Sequence, residues 1–421
     1  MTRRFTRRGG KMSKIIIVGG GECGARAAFA LREQGFNGDI TLIGAEPHLP
    51  YERPPLSKTG LASAAPPQYV AGPARYEEAR ITILTGVPVD TVDRQSKLVR
   101  LSDGRKFPYD QLLLATGARP RPFAGVSGDP GLGRICMLRN HGDAVAIHEA
   151  LAPGKSLAVV GGGFIGLEIA ATARKLGAEV LLIESSPRVL SRGVPAEIAK
   201  VVTERHRQEG VNILCGEQIT SIATENDKVQ ILFANGTTRL ADIVVVGIGV
   251  IPNVELAEAA GLLIDNGIAV DATLRTSDPD IFAAGDCCSF PLSHYRERRV
   301  RLEAWRNAQD QGMLVAANLL GRGLAIASVP WFWSDQYELT LQIAGLSDGA
   351  ATTVRRDLDQ GAFILFHLDG EDRLIAASGI GPGNAVARDI RLAEMLIAAK
   401  RRLDPEALAS PKTNLKKLLA A

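Results

Sequence analysis

The stretch "KIIIVGGGECGARAAFALREQGFNGDITLIGAE", residues 14–46, decides the fold. It opens on a short apolar run rich in β-branched side chains, the pattern of a strand buried on both faces. "GGGECG" follows at once. "ARAAFALREQG" then has helical spacing and ends at Gly35, the residue type that caps helix C-termini. "DITLIGAE" is the next strand. Strand, glycine turn, helix and strand in one short unit is the context that the fingerprint G-x-G-x-x-G needs to bind a dinucleotide. Gly19 permits the tight turn, Gly21 lets the backbone approach a pyrophosphate, and Gly24 lets helix and strand pack closely. The helix start offers unpaired N–H groups and a positive dipole end to the phosphates. Glu46, expected at the end of the second strand, is placed to accept hydrogen bonds from a ribose.

The same grammar returns in "SLAVVGGGFIGLEIAATARKLGAEVLLIE", residues 156–184. Gly161, Gly163 and Gly166 take the three glycine positions, and Glu184 closes the unit. One such motif is weak evidence. Two, each between strand and helix and each closed by an acid, imply two dinucleotide sites in one chain. Two dinucleotides imply transfer between them, with the hydride chemistry carried by the cofactors and the orientation by the protein. Glu184 favours a free ribose 2′-hydroxyl over a 2′-phosphate. At ~5 Å and an effective dielectric of ~20, one charge pair costs about 3 kcal/mol. NADH is therefore expected over NADPH at the second site, an expectation softened by Arg188 and Arg192 close behind.

Composition sets the bounds. The chain has 421 residues, enough for two or three domains, and 44 glycines. Its formal charge is +3, but Arg3, Arg4, Arg7, Arg8, Lys11 and Lys14 stand at the start, so the remainder is slightly acidic and nucleic acid is not an expected partner. The basic residues 1–13 read as a disordered leader without the apolar core of a secretory signal. No apolar run approaches a membrane span. The five cysteines, Cys23, Cys136, Cys215, Cys287 and Cys288, are odd in number and lack C-x-x-C spacing, so no disulfide framework or metal site is expected and a reducing cytoplasm fits. His48, His141, His148, His206, His294 and His367 are scattered without ligand spacing. After about residue 325 the character changes. "ELTLQIAGL" and "AFILFHLDGEDRLIAASGI" read as strands, the latter with a hairpin at "DGED", and "NAVARDIRLAEMLIAAK" as an amphipathic helix.

Seven landmarks carry a resemblance: "VGGGECGARAA", "LPYERPPLSK", "LLLATGARPRP", "VVGGGFIGLEIA", "IVVVGIGVIPN", "TSDPDIFAAGDC" and "PWFWSDQY". With them the chain resembles the FAD-dependent NADH:ferredoxin reductases that serve bacterial cytochrome P450 and aromatic-ring dioxygenase systems. The resemblance implies an α/β fold with two Rossmann-like dinucleotide-binding domains in a glutathione reductase-like layout, plus a C-terminal α+β interface domain. The FAD-binding domain is expected over 14–120 and 252–325, the NAD-binding domain over 121–251, and the C-terminal domain over 326–421. "ATGARP" and "GIGVIPN" are the expected crossovers.

The resemblance also distributes roles. Gly19, Gly21, Gly24, Glu46, Arg53, Lys58, Val89, Thr116, Gly117, Arg139, Asp286 and Trp305 are implied FAD residues. Gly161, Gly163, Ile165, Gly166, Glu184, Arg192 and Gly249 are implied NAD residues. Lys58 and Glu168 resemble a lysine–glutamate pair near the reactive edge of the flavin, where a lysine stabilises negative charge. In disulfide reductases of this layout the segment after the first acid carries redox cysteines; here "PYERPPLSK", residues 50–58, has none, and Pro54 and Pro55 stiffen it. Electrons are thus expected to pass from NADH to FAD and leave singly to a [2Fe–2S] ferredoxin that feeds a P450 or Rieske oxygenase. An electropositive patch at Arg296, Arg298 and Arg299 is a candidate docking face. "WFW", with Trp331 and Trp333, lies near the flavin and partner face by resemblance, and in the core by composition. The protein is expected to be a monomer or weak dimer. The rivals are an NADH oxidase or rubredoxin reductase, and a redox-sensing flavoprotein similar to apoptosis-inducing factor.

Overall fold

The computed structural model describes residues 13–127 and 133–420. Of the basic leader, residues 1–13, all but Ser13 lie outside the described residues. The chain forms two compact units. One holds the described residues up to Glu52 with Gln68–Arg119 and Pro252–Ser328; the other holds Arg53–Pro67, Pro120–Ile251 and the described residues from Val329 on.

The first unit is built on a five-stranded parallel sheet in the order Ile281–Ala283, Gln111–Leu114, Lys14–Val18, Asp39–Ile43, Ile81–Leu84. Its central strands are continuous apolar runs because both faces are covered; Ile15, Ile17, Leu42, Leu112 and Leu113 are all buried. Register runs without a break from Lys14 opposite Asp39 to Val18 opposite Ile43. Helices Glu22–Glu33 and Trp305–Leu319 pack closely because position 312 is glycine. A Cβ there would lie 2.8 Å from the Cys23 carbonyl oxygen. An antiparallel three-stranded sheet, Val89–Asp93, Leu98–Leu101 and Lys106–Pro108, completes the part before residue 119.

The second unit repeats the plan. Its parallel sheet runs Ile135–Cys136, Ile243–Val246, Ser156–Val160, Glu179–Glu184, Asn212–Cys215. The C-terminal portion is an antiparallel sheet in the order Trp331–Gln336, Leu339–Gly345, Leu374–Pro382, Phe363–Leu368, Thr352–Asp357. Helix Ala387–Ala398 closes its core with Ile390, Ala393, Leu396 and Ile397. This sheet groups with residues 120–251 through specific contacts: the Phe164 and Phe332 rings are 4.4 Å apart, and Arg205 bonds Glu338 at 2.7 Å. Residues 53–67 belong to the same unit, although the sequence reading ran the first domain without interruption to 120. The cause is a set of buried hydrogen bonds described below. Among the described residues no helix is long and apolar enough to cross a membrane.

Candidate functional site

The two glycine turns have the same construction. Gly19 has φ +127° and Gly161 φ +112°. A Cβ on Gly19 would lie 2.0 Å from the Ala115 carbonyl oxygen, and one on Gly161 2.3 Å from that of Gly247, so neither tolerates a side chain. A Cβ on Gly24 would meet the Gly19 oxygen at 2.1 Å, and one on Gly166 the Gly161 oxygen at 2.1 Å. Gly21 and Gly163 differ in kind. Nothing lies within 4 Å of a Cβ built on either. Both are helix N-caps that supply no side-chain hydrogen bond. Each helix therefore presents its first N–H groups toward open space that a side chain would fill, which suits a pyrophosphate. The turns are tied down alike: Gly19 N–H donates to the Ile43 carbonyl at 2.8 Å, and Gly161 N–H to that of Ile183 at 2.8 Å.

The closing acids are held differently. Glu184 ends its strand as expected. Its two oxygens accept from the Gly162 and Ser186 backbone N–H groups, each at 2.7 Å, so the carboxylate cannot swing away. Arg188 is engaged close by. Its guanidinium donates to the carbonyls of Leu190 at 2.8 Å and Val194 at 2.9 Å. Arg192 is exposed. Glu46 stands three residues beyond its strand, which ends at Ile43, and not at the strand end. The Tyr51 hydroxyl donates to it at 2.5 Å and replaces the strand as its anchor.

The remaining expected FAD residues fall in both units. In the first, Thr116 Oγ1 donates to the Asn253 carbonyl at 2.7 Å, and Asn253 Nδ2 returns a bond to the Thr116 carbonyl at 2.8 Å. Gly117 follows with φ +67° and accepts from Asn253 N–H at 2.9 Å. Asp286 follows Gly285, whose N–H donates to Gln311 Oε1 at 2.7 Å. Trp305 opens helix Trp305–Leu319 and is half-buried. Val89 begins its strand opposite Leu101. In the second unit Arg53 Nη1 donates to the Arg139 carbonyl at 2.6 Å. Arg139 precedes the Asn140–Asp143 capping box that starts helix His141–Ala150, and Asp143 Oδ2 accepts its N–H at 2.8 Å. Ile165 is exposed on the first turn of its helix, and Gly249 has φ +107°.

Lys58 and Glu168 come together. Lys58 Nζ is 2.9 Å from Glu168 Oε2, with the lysine side chain 27% and the glutamate 8% exposed. Residues Pro54–Ser57 form a 3-10 turn, as two prolines permit, and this points Ser57 inward. The Ser57 hydroxyl donates to Glu168 Oε2 at 2.5 Å, and Thr172 Oγ1 donates to the Ser57 carbonyl at 2.8 Å. From the C-terminal sheet, Ser334 Oγ donates to Glu168 Oε1 at 2.6 Å. Ser57, Thr172 and Ser334 were not anticipated. Ser334 lies within "PWFWSDQY", but nothing in the sequence pairs it with a residue 166 positions away.

Burial disfavours the thiolate form of Cys23, Cys136, Cys287 and Cys288. All five cysteines are free. Burial raises Cys23, Cys287 and Cys288, the first and last of them well above the ordinary thiol, and pushes Cys136 up to about 11. A thiol held protonated is a poor nucleophile for disulfide exchange. The basic patch is also partly committed. Arg299 Nη1 donates to the carbonyls of Ser289 at 2.6 Å and Val270 at 3.0 Å, so it braces a loop; Arg296 stays exposed. Trp331 and Trp333 are half-buried and stacked, ring centroids 5.4 Å apart, neither fully core nor fully surface.

Two parallel-sheet units, each opening on a glycine turn shaped for a pyrophosphate, define a two-nucleotide oxidoreductase. The chain belongs to the pyridine nucleotide-disulphide oxidoreductase family, whose model matches residues 13–312, and residues 331–419 match the reductase C-terminal model. It is 43% identical over 408 residues to the ferredoxin–NAD(+) reductase component of the anthranilate 1,2-dioxygenase system of Burkholderia cepacia, covering 96% of this chain and 99% of that one. It is 40% identical over 416 residues to putidaredoxin reductase of Pseudomonas putida, covering 97% of each. The crystal structure of the covalent putidaredoxin reductase–putidaredoxin complex superposes with a TM-score of 0.91 at 39% identity, over 97% of this chain and 99% of that one.

Proposed function

We propose that this protein is an NADH:ferredoxin reductase that binds FAD in the first cradle and NADH in the second, and delivers electrons to a [2Fe–2S] ferredoxin serving a P450 or Rieske-type oxygenase. The observation that carries this reading is the duplicated cradle, in which Gly21 and Gly163 leave open the space that a pyrophosphate needs at an uncapped helix start. The relatives named as ferredoxin reductases over nearly the whole chain support it. When bound, FAD supplies the conversion between the two electrons of NADH and the single electrons that an iron–sulfur centre accepts.

The chain's own residues bind and orient. The proposed domain division is FAD on 14–120 and 252–325, NAD on 121–251, and 326–421 as the interface domain, with residues 53–67 of the first span grouped in the unit that holds 120–251. Gly21 would leave room for the FAD pyrophosphate, with Gly19 and Gly24 permitting the tight turn and close packing beside it, and Glu46, braced by Tyr51, would take a ribose. Thr116 and Gly117, locked to Asn253, join Arg53, Val89, Arg139, Asp286 and Trp305 as the other FAD residues. Gly161, Gly163, Ile165, Gly166, Glu184, Arg192 and Gly249 hold NADH, and pinned Glu184 selects the free 2′-hydroxyl. Lys58, aimed by Glu168, would supply positive charge to the flavin when FAD is bound. With no cysteine in residues 50–58, the proposed route runs from flavin to partner without a disulfide relay. The protein works in the cytoplasm, where its five thiols stay reduced.

The test is NADH-driven cytochrome c reduction with and without an added [2Fe–2S] ferredoxin. The expected result is a rate that rises at least tenfold with ferredoxin. A ferredoxin-independent rate overturns the reading in favour of an oxidase. A long-lived charge-transfer band with little turnover overturns it in favour of a sensor.

A further inference from the structure

Glu168 is 7% exposed, and Lys58 is only one of its partners. Behind Ser334 the hydrogen bonding continues inward. Gln336 Nε2 donates to Ser334 Oγ at 2.9 Å, and Gln336 Oε1 faces His206 Nε2 at 2.9 Å. Ser334, Gln336 and His206 are 0%, 1% and 0% exposed. Residues 332, 334 and 336 lie on one face of strand Trp331–Gln336 by the two-residue repeat. The first of them, Phe332, is partly buried and packs on Phe164. The next two are polar. Polar groups on a buried face are costly unless every one is bonded, and here the bonds run in a single line.

Chemistry sets the direction of that line. A glutamine side chain accepts only at its oxygen and donates only from its nitrogen. The oxygen facing His206 therefore requires a proton on Nε2. Burial pushes His206 down to about 4, so the ring carries one proton near neutrality. Nδ1, the ring's acceptor in that tautomer, is buried and finds no donor among the described residues. With Gln336 so oriented, its amide nitrogen occupies a lone pair of Ser334 Oγ, and the only hydroxyl proton of Ser334 is left for Glu168.

We propose that His206, Gln336 and Ser334 form a buried one-way hydrogen-bond chain that positions the Glu168 carboxylate and, through it, Lys58. These three are positioning residues, and their role rests on the reading of Lys58 and Glu168 as the pair that acts beside the flavin. Ser334 and Ser57 grip opposite oxygens of Glu168, which prevents the carboxylate from turning and keeps Lys58 aimed. The chain also makes the C-terminal strand a structural part of the reductase site, beyond any contact that it makes with a partner.

The test uses the flavin-loaded full chain with S334A, S334T, Q336L and E168Q. In stopped flow, S334A and Q336L are expected to lower the limiting rate of flavin reduction by NADH about tenfold, with the apparent Kd for NADH changed less than about twofold. S334T keeps the hydroxyl and is expected to recover to within about threefold of wild type; it also controls for loss of folding in S334A. The second readout is independent of turnover: ring-nitrogen NMR of histidine-labelled protein near pH 7. It should show His206 as the Nε2-protonated neutral tautomer in wild type, and that signature should be lost in Q336L. A wild-type rate in S334A overturns the positioning role. A His206 signature that Q336L leaves unchanged overturns the chain itself. If E168Q reduces flavin at the wild-type rate, the reading of the Lys58–Glu168 pair fails and the positioning role with it, whereas the NMR result still judges the chain.

Discussion

Replacing Glu184 by alanine removes the carboxylate that the structure holds most firmly at the second cradle. Both its oxygens are taken by backbone N–H groups at 2.7 Å, so in the native protein a 2′-phosphate cannot push it aside by a change of rotamer. One charge pair at ~5 Å and an effective dielectric of ~20 is worth about 3 kcal/mol, or roughly two orders of magnitude in binding. Arg188 does not offset this, because its donors are spent on the carbonyls of Leu190 and Val194. The expected outcome for E184A is a fall of about a hundredfold in the ratio of kcat/KM for NADH to that for NADPH. Most of the change should appear as a gain with NADPH. The assay is steady-state reduction of ferricyanide with each coenzyme at matched ionic strength. E184Q should be the poorer protein. Its amide nitrogen must face one of two N–H donors and leave it unbonded, at a cost of about 1–3 kcal/mol. A ratio that stays within threefold of wild type in E184A refutes the placement of Glu184 at the adenosine ribose.

Three further outcomes are expected. K58A should slow flavin reduction by NADH about tenfold or more in stopped flow, because the charge that Glu168 aims is gone; an unchanged trace removes the lysine from the mechanism. Burial pushes His367 down to about 4, below the ordinary 6.5, so the unfolded chain binds the proton more readily than the folded one. Its contribution, about 2–3 kcal/mol, is fully present above pH 6.5 and is lost as pH falls toward 4. The Tm of H367Q should therefore fall less than that of wild type across this window in thermal melts. Turnover with ferredoxin should fall steeply as salt rises, and R296A should flatten that dependence, whereas R299A should chiefly lower Tm, since Arg299 braces the Val270 and Ser289 carbonyls.

The two dinucleotide units were legible in the sequence because their physics is local. A buried parallel strand, a glycine turn and a helix start stand next to one another in the chain, and each excludes most alternatives. Gly19 and Gly161 had to be glycine where φ is positive and a carbonyl stands in the way, and the motif announces this. Glu184 at the end of its strand follows from the same spacing. Glu46 shows the limit: its strand stops three residues earlier, and a tyrosine five positions on holds it in place. Lys58 was visible only by resemblance, since a lysine after two prolines reads as surface.

What tertiary structure alone decided is the company that Glu168 keeps. In its helix it is one acid among alanines and isoleucines, with no local cue that it is buried. Ser57 stands 111 residues before it and Ser334 166 after it, and a hydroxyl carries no pattern by which sequence could match it to a distant carboxylate. Folding brings them together because a charge taken out of water must find donors wherever the chain can supply them. The segment without cysteines, 50–58, changes meaning on this account. Its residue types already said that it carries no thiol. Only the folded chain shows that its last two residues, Ser57 and Lys58, close on the buried carboxylate of another element and make one polar centre with it.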